Sequence, residues 1–129
     1  MSEVTVRKQR PKHLAINEIR LPLPGIVSIL HRISGAGLFL FLPFLLFLLD
    51  RSLGSPESFA TFEAVVGHPL AKLLLIGLLW AFLHHFCAGI RFLALDLHKG
   101  TELQAARNSS RIVLIVSLVL TVLIGVKLW

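Results

Sequence analysis

Cys87 is the single cysteine of the chain. With no second thiol, neither an internal disulfide nor a cysteine-rich zinc or iron–sulfur centre can be built within it. Lying in an apolar run, Cys87 reads as a small packing residue. Charge is also scarce, at 16% of residues, with 7 acids against 13 Lys and Arg. Glu57 and Glu63 read as unpaired loop charges, and Asp50 and Asp96 fall near the ends of apolar runs. A polar path for ions or protons normally pairs its carboxylates inside the membrane, so this distribution argues against a transporter or channel. There is no phosphate-cradling glycine loop and no nucleophile elbow. His13, His68 and His98 share no metal-ligand spacing and read as solvated loop or interface residues. The basic N-terminus is followed promptly by neither an apolar h-region with a cleavage site nor an Arg/Ser-rich transit segment. The expectation is a bacterial inner-membrane protein inserted by its own helices.

What the chain does have is long apolar runs. Hydrophobic residues make up 55% of the 129 positions and the mean hydropathy is +0.80, well above a soluble domain's norm. Three runs, about 26–50, 70–97 and 111–128, each reach the roughly 20 residues that cross a ~30 Å hydrocarbon core. The expected fold is an all-α membrane protein of three transmembrane helices, a single membrane-anchor domain over 1–129 with an N-terminal segment over 1–25. Pro43 lies inside the first run, where membrane helices tolerate it as a kink. Gly54, Ser55, Pro56 and Gly67 mark the linker between the first two runs as a loop, with room for a short interfacial helix at Phe59–Val66.

Basic residues flank these runs unevenly. Arg7, Lys8, Arg10, Lys12 and Arg20 precede the first, and Lys99, Arg107 and Arg111 separate the second from the third. The first loop offers Arg51 and, at its edge, Lys72; the C-terminal tip offers Lys127. The positive-inside rule puts the N-terminus and second loop in the cytoplasm and the C-terminus in the periplasm, with Trp129 at the outer interface. The net charge of +6 is thereby accounted for without nucleic acid, and no basic helix interleaved with exposed aromatics suggests otherwise. Three helices with inward polar residues call for another membrane chain to cover them.

Two polar groups stand inside the apolar runs. Ser28, His31 and Arg32 open the first, at spacings of three and four that place Ser28 beside both of the others. A hydroxyl, an imidazole and a permanent cation suit the carbonyl oxygens of a quinone and the negative charge that builds during stepwise reduction. The plainer reading is Arg32 snorkelling to lipid phosphate with Ser28 as a helix cap. The second group is His84, His85, Gly89, Arg91 and Asp96. A histidine in mid-span is costly to bury, and imidazole is the usual protein ligand of haem iron. His84 and His85 point about 100° apart, so one faces a cofactor while the other bonds a carbonyl or a neighbouring chain. Gly89, one turn beyond His85, leaves a notch for a planar ring and favours His85. Arg91 is placed for a haem propionate, or else is an interfacial anchor. Asp96 closes the helix or pairs with a base.

These residues resemble the cytochrome b subunit of succinate dehydrogenase, the larger of two small membrane anchors of respiratory complex II. The first signature is Arg10-Pro11, Leu14, Ile16, Arg20 and then Ser28-Ile29-Leu30-His31-Arg32-Ile33-Ser34-Gly35; the second is His85, Gly89-Ile90-Arg91 and Asp96. The resemblance covers nearly the whole chain. It implies that His85 is one axial ligand of a haem b whose other histidine comes from the second anchor subunit. It implies further that Ser28 and Arg32 line the quinone site, with ubiquinone the expected substrate, beside the iron–sulfur subunit, and that His31 and Arg91 lie near the propionates. Succinate itself would be oxidised on a flavoprotein subunit, linking the tricarboxylic acid cycle to electron transport. Phe92 departs from the many relatives that carry a second histidine there, Lys12 from their usual uncharged residue, and His84 adds a neighbouring imidazole. The competing functions are a haem-free structural anchor and a small transporter subunit.

Overall fold

The computed structural model describes residues 18–129, and these are helical, with no strand among them. The signature residues Arg10, Pro11, Leu14 and Ile16, together with His13, Lys12 and the other basic residues before them, lie outside the described residues. Four helices follow in order: α1 (Leu23–Leu53), α2 (Pro56–Gly67), α3 (Pro69–Asp96) and α4 (Leu103–Leu128). Helices α1, α3 and α4, of 31, 28 and 26 residues, are each long and apolar enough to cross a membrane. The expected all-α, three-span architecture is thus observed.

The ends of the helices explain where the apolar runs and the helices differ. Pro22 caps α1 and Pro24 occupies its first turn, where a missing N–H costs nothing. Ser28 therefore sits inside α1, more than a turn past its cap. The helix continues through Pro43 to Leu53. Helix α2 is longer than the stretch 59–66: Ser55 accepts from the Ser58 N–H at 3.3 Å and Pro56 supplies the first helical position. The His68 side chain then caps α3 by accepting from the Leu70 N–H at 3.2 Å. Helix α3 ends at Asp96, and the chain reverses through His98 and Gly100, both at positive φ (57° and 73°). Helix α4 begins eight residues ahead of the apolar run that starts near 111, because 103–110 is polar yet rich in helix formers such as Gln104, Ala105 and Ala106.

Helix α3 is central, packed against α1 on one side and α4 on the other. The shared core is small: Val27 of α1, Ala88 of α3 and Val113 of α4, with Cys87, Phe92 and Leu114 against it. On α4 the buried residues Ser110, Val113, Ser117 and Thr121 recur every three or four positions and form one stripe. Their small size lets backbones approach, as is usual for helices in lipid. Their hydroxyls are satisfied within the helix, Ser110 to the Ala106 carbonyl at 2.7 Å and Thr121 to the Ser117 carbonyl at 2.7 Å. The outer faces stay apolar and uncovered; Phe39 and Leu40 are 75% and 73% exposed. Such surfaces belong in lipid or against another chain.

Candidate functional site

The seam between α1 and α3 brings His31, Ser34, Gly35 and His85 together. The rings of His31 and His85 stack face to face, with centroids 4.0 Å apart and planes at 8°. Phe92 meets His31 edge-on at 5.1 Å. His85 Nδ1 lies 3.0 Å from the His31 backbone carbonyl and 3.3 Å from Ser34 Oγ, and Ser34 Oγ donates to the same carbonyl at 2.9 Å. A carbonyl only accepts, so His85 carries its hydrogen on Nδ1 and keeps a lone pair on Nε2. His85 is half-buried, and no hydrogen bond engages its Nε2 among the described residues.

Gly35 is what allows this approach. A Cβ at that position would stand 2.7 Å from His85 Cε1, closer than real side chains come. Gly89 is less crowded: its Cβ would meet His31 Nε2 at 3.8 Å, ordinary contact. The notch at Gly89 thus faces the His31 ring.

His84 is placed differently. It is fully buried and stacks on Trp80 at 5.2 Å and 28°. Neither ring nitrogen of His84 finds a hydrogen-bond partner, and the Trp80 indole N–H is likewise enclosed without one. The Val27 backbone of α1 faces the His84 ring without meeting hydrogen-bond geometry. Among the described residues no carbonyl accepts a hydrogen bond from His84.

Arg91 turns from the His85 side toward α4. Its Nε donates to Ser109 Oγ at 2.9 Å and one Nη to the Ala106 carbonyl at 3.4 Å, leaving the residue 7% exposed. The other Nη makes no hydrogen bond among the described residues, and Arg91 lines an apolar cleft of about 460 Å³ between α3 and α4. Asp96 is exposed at the end of α3 and forms no ion pair with Arg91. On α1, Ser28 is half-buried and Arg32 exposed, and neither makes a side-chain hydrogen bond among the described residues. The structure therefore joins His31 and His85, and leaves Ser28, Arg32 and the free edge of Arg91 at the surface. Sequence reasoning missed Ser34, Gly35, Ser109 and Trp80. A clue to the first two was present, since Ser34-Gly35 follows His31 by one turn and ends the first signature.

Among the described residues no three His, Cys, Asp or Glu side chains gather at one point.

Comparison with known proteins agrees in one direction. Residues 6–124 match the family model described as succinate dehydrogenase/fumarate reductase transmembrane subunit. The chain is similar to the succinate dehydrogenase cytochrome b556 subunit of Coxiella burnetii, 39% identical over 122 residues, covering 94% of this chain and 98% of that one. It is also similar to the subunit of the same name from Paracoccus denitrificans, 36% identical over 117 residues, 91% and 90% of the two chains. A Rickettsia felis subunit of that name is 28% identical over 124 residues. With three apolar helices and a match over nearly its full length, the chain belongs to the succinate dehydrogenase/fumarate reductase transmembrane subunit family and is the membrane subunit of such an enzyme complex.

Proposed function

We propose that this chain is the cytochrome b anchor of a succinate:quinone oxidoreductase, with His85 one axial ligand of a haem b and Ser28 and Arg32 part of the quinone site. The carrying observation is the His85 ring itself: Nδ1 donates to the His31 carbonyl at 3.0 Å while no hydrogen bond engages Nε2 among the described residues. Metal-bound histidines almost always donate their other ring N–H in this way, which holds the ring and raises its basicity. His84 lacks both features, since its nitrogens are enclosed and unheld. The names of the Coxiella and Paracoccus relatives support a b-type cytochrome.

Haem iron, when bound, supplies a one-electron redox centre within the membrane. This chain's residues do the rest of the work on their side of it. His85 offers Nε2, and the His31 carbonyl keeps the Nδ1 proton in place. The free Nη of Arg91 is the cation, and the His31 ring a neighbouring polar group, assigned to the propionates. Ser28 donates to, and Arg32 places positive charge beside, a quinone oxygen; one turn of α1 separates them. Neither makes a side-chain hydrogen bond among the described residues, which suits both to a substrate oxygen. The second axial histidine is assigned to the second small anchor, succinate oxidation to the flavoprotein subunit, and electron delivery to the iron–sulfur subunit. The N-terminus and the 97–102 turn face the cytoplasm and the C-terminus the periplasm of a bacterial inner membrane.

The test is a reduced-minus-oxidised visible spectrum of the complex purified through this chain, with haem assayed chemically. Wild type shows a b-type spectrum, and His85→Ala loses it. A complex that never contains haem leaves a structural anchor. A His85→Ala spectrum identical to wild type removes His85 as the ligand.

A further inference from the structure

We propose that Ser34 and Gly35 form a socket on α1 that fixes the rotation of the His85 ring and the seat of its proton, making both positioning residues for the haem ligand. The inference rests on His85 being that ligand, and it concerns how the ligand is held. Three polar groups close a triangle: His85 Nδ1 to the His31 carbonyl (3.0 Å), Ser34 Oγ to the same carbonyl (2.9 Å), and His85 Nδ1 to Ser34 Oγ (3.3 Å). Only one proton arrangement satisfies it. The carbonyl can only accept, so the Ser34 hydroxyl gives its proton there and turns a lone pair toward Nδ1–H. His85 Nδ1–H is then shared between two acceptors, the carbonyl the stronger by distance. Ser34 is 4% exposed, so water does not compete for these bonds.

Gly35 supplies the steric half. Its missing Cβ would meet three atoms of the His85 ring, Cε1 at 2.7 Å, Nδ1 at 3.1 Å and Nε2 at 3.7 Å. The ring lies across the Gly35 backbone, and the His31 imidazole stacks against it at 4.0 Å. A methyl group at position 35 has to turn or push the ring, lengthening the bond from Nδ1 and re-aiming Nε2. Other glycines of the spans impose no such condition: a Cβ on Gly37 or Gly77 meets nothing within 4 Å. Gly77 on α3 is therefore the matched control.

The experiment uses the assembled complex carrying His85→Ala, Gly35→Ala, Ser34→Ala, Ser34→Thr or Gly77→Ala. Readouts are haem content, the ferric EPR spectrum and the haem midpoint potential. Gly35→Ala is expected to show a high-spin ferric fraction and reduced haem, because the iron bond weakens when the ring is displaced. Ser34→Ala is expected to keep its haem but move the potential upward, since Nδ1–H loses an acceptor and the imidazole becomes a poorer donor to ferric iron. Ser34→Thr restores the hydroxyl and the wild-type potential, and Gly77→Ala matches wild type throughout. A merely structural role for Ser34 would change assembly and leave the potential alone. If His85→Ala keeps its haem, the ligand assignment fails and the socket falls with it. If His85→Ala loses haem while Gly35→Ala and Ser34→Ala keep wild-type EPR and potential, the socket alone is overturned. Should Gly35→Ala fail to assemble, the Ser34 pair decides.

Discussion

The two sides of α3 carry adjacent histidines under opposite conditions. Toward α1, His85 is half-buried, donates from Nδ1 and keeps Nε2 open. Toward the interior of the chain's own bundle, His84 is fully enclosed beside Trp80 with both nitrogens unpartnered. A buried polar group left without a hydrogen bond costs about 1–3 kcal/mol, and among the described residues His84 has none, while His85 is held at Nδ1. On the proposed reading, a held donor and an unengaged acceptor on one ring mark the ligand, rather than depth of burial. Arg91 extends the contrast: it leans to α4, where two hydrogen bonds tie the helices, and only its outer edge is left for another group.

This contrast can be broken or sharpened by substitution. The largest structural effect is expected from Arg91→Ala, which deletes both bonds to α4 and leaves the Ser109 hydroxyl without its cation, a loss of about 2–4 kcal/mol. Thermal melting of the detergent-solubilised complex should fall by several degrees. The haem potential should fall with it if the free Nη neutralises a propionate; a fall in melting alone confines Arg91 to the α3–α4 seam. Ser109→Ala removes only the partner of Nε and is expected to cost about 1 kcal/mol, with the potential unmoved. His84→Phe should be the mildest. It keeps a ring against Trp80 and removes two unpartnered nitrogens, so melting stays level or rises by about 1 kcal/mol equivalent and haem content does not change. A His84→Phe complex that loses haem would reverse the contrast between the two histidines.

Much of this was readable before any coordinates. The three spans follow from runs of apolar residues long enough for a bilayer, and the adjacency of His84 and His85 alone shows that they face different ways. The role of each was harder to read. In a soluble helix one polar and one apolar face tell which side is buried, but α3 is apolar nearly all round, so no periodicity orients it. Hence nothing in the chain's pattern says that His84 faces inward or that Arg91 bends to Ser109. The start of α4 was missed for a related reason. Residues 103–110 are helical through backbone propensity, whereas hydropathy sees only the apolar portion beginning near Ile112. The approach of His85 to Gly35 joins residues 50 positions apart in the chain, and local spacing cannot report such a contact.

The central claim is that His85, held at Nδ1, gives Nε2 to iron. It is tested most directly by replacing each histidine with glycine and adding free imidazole to the purified complex. The account predicts that His85→Gly loses the low-spin ferric haem signal and regains it as imidazole fills the space left beside Gly35, while His84→Gly keeps the signal with or without imidazole. A His85→Gly complex with an unaltered low-spin signal, or one in which only His84→Gly needs imidazole, would contradict it.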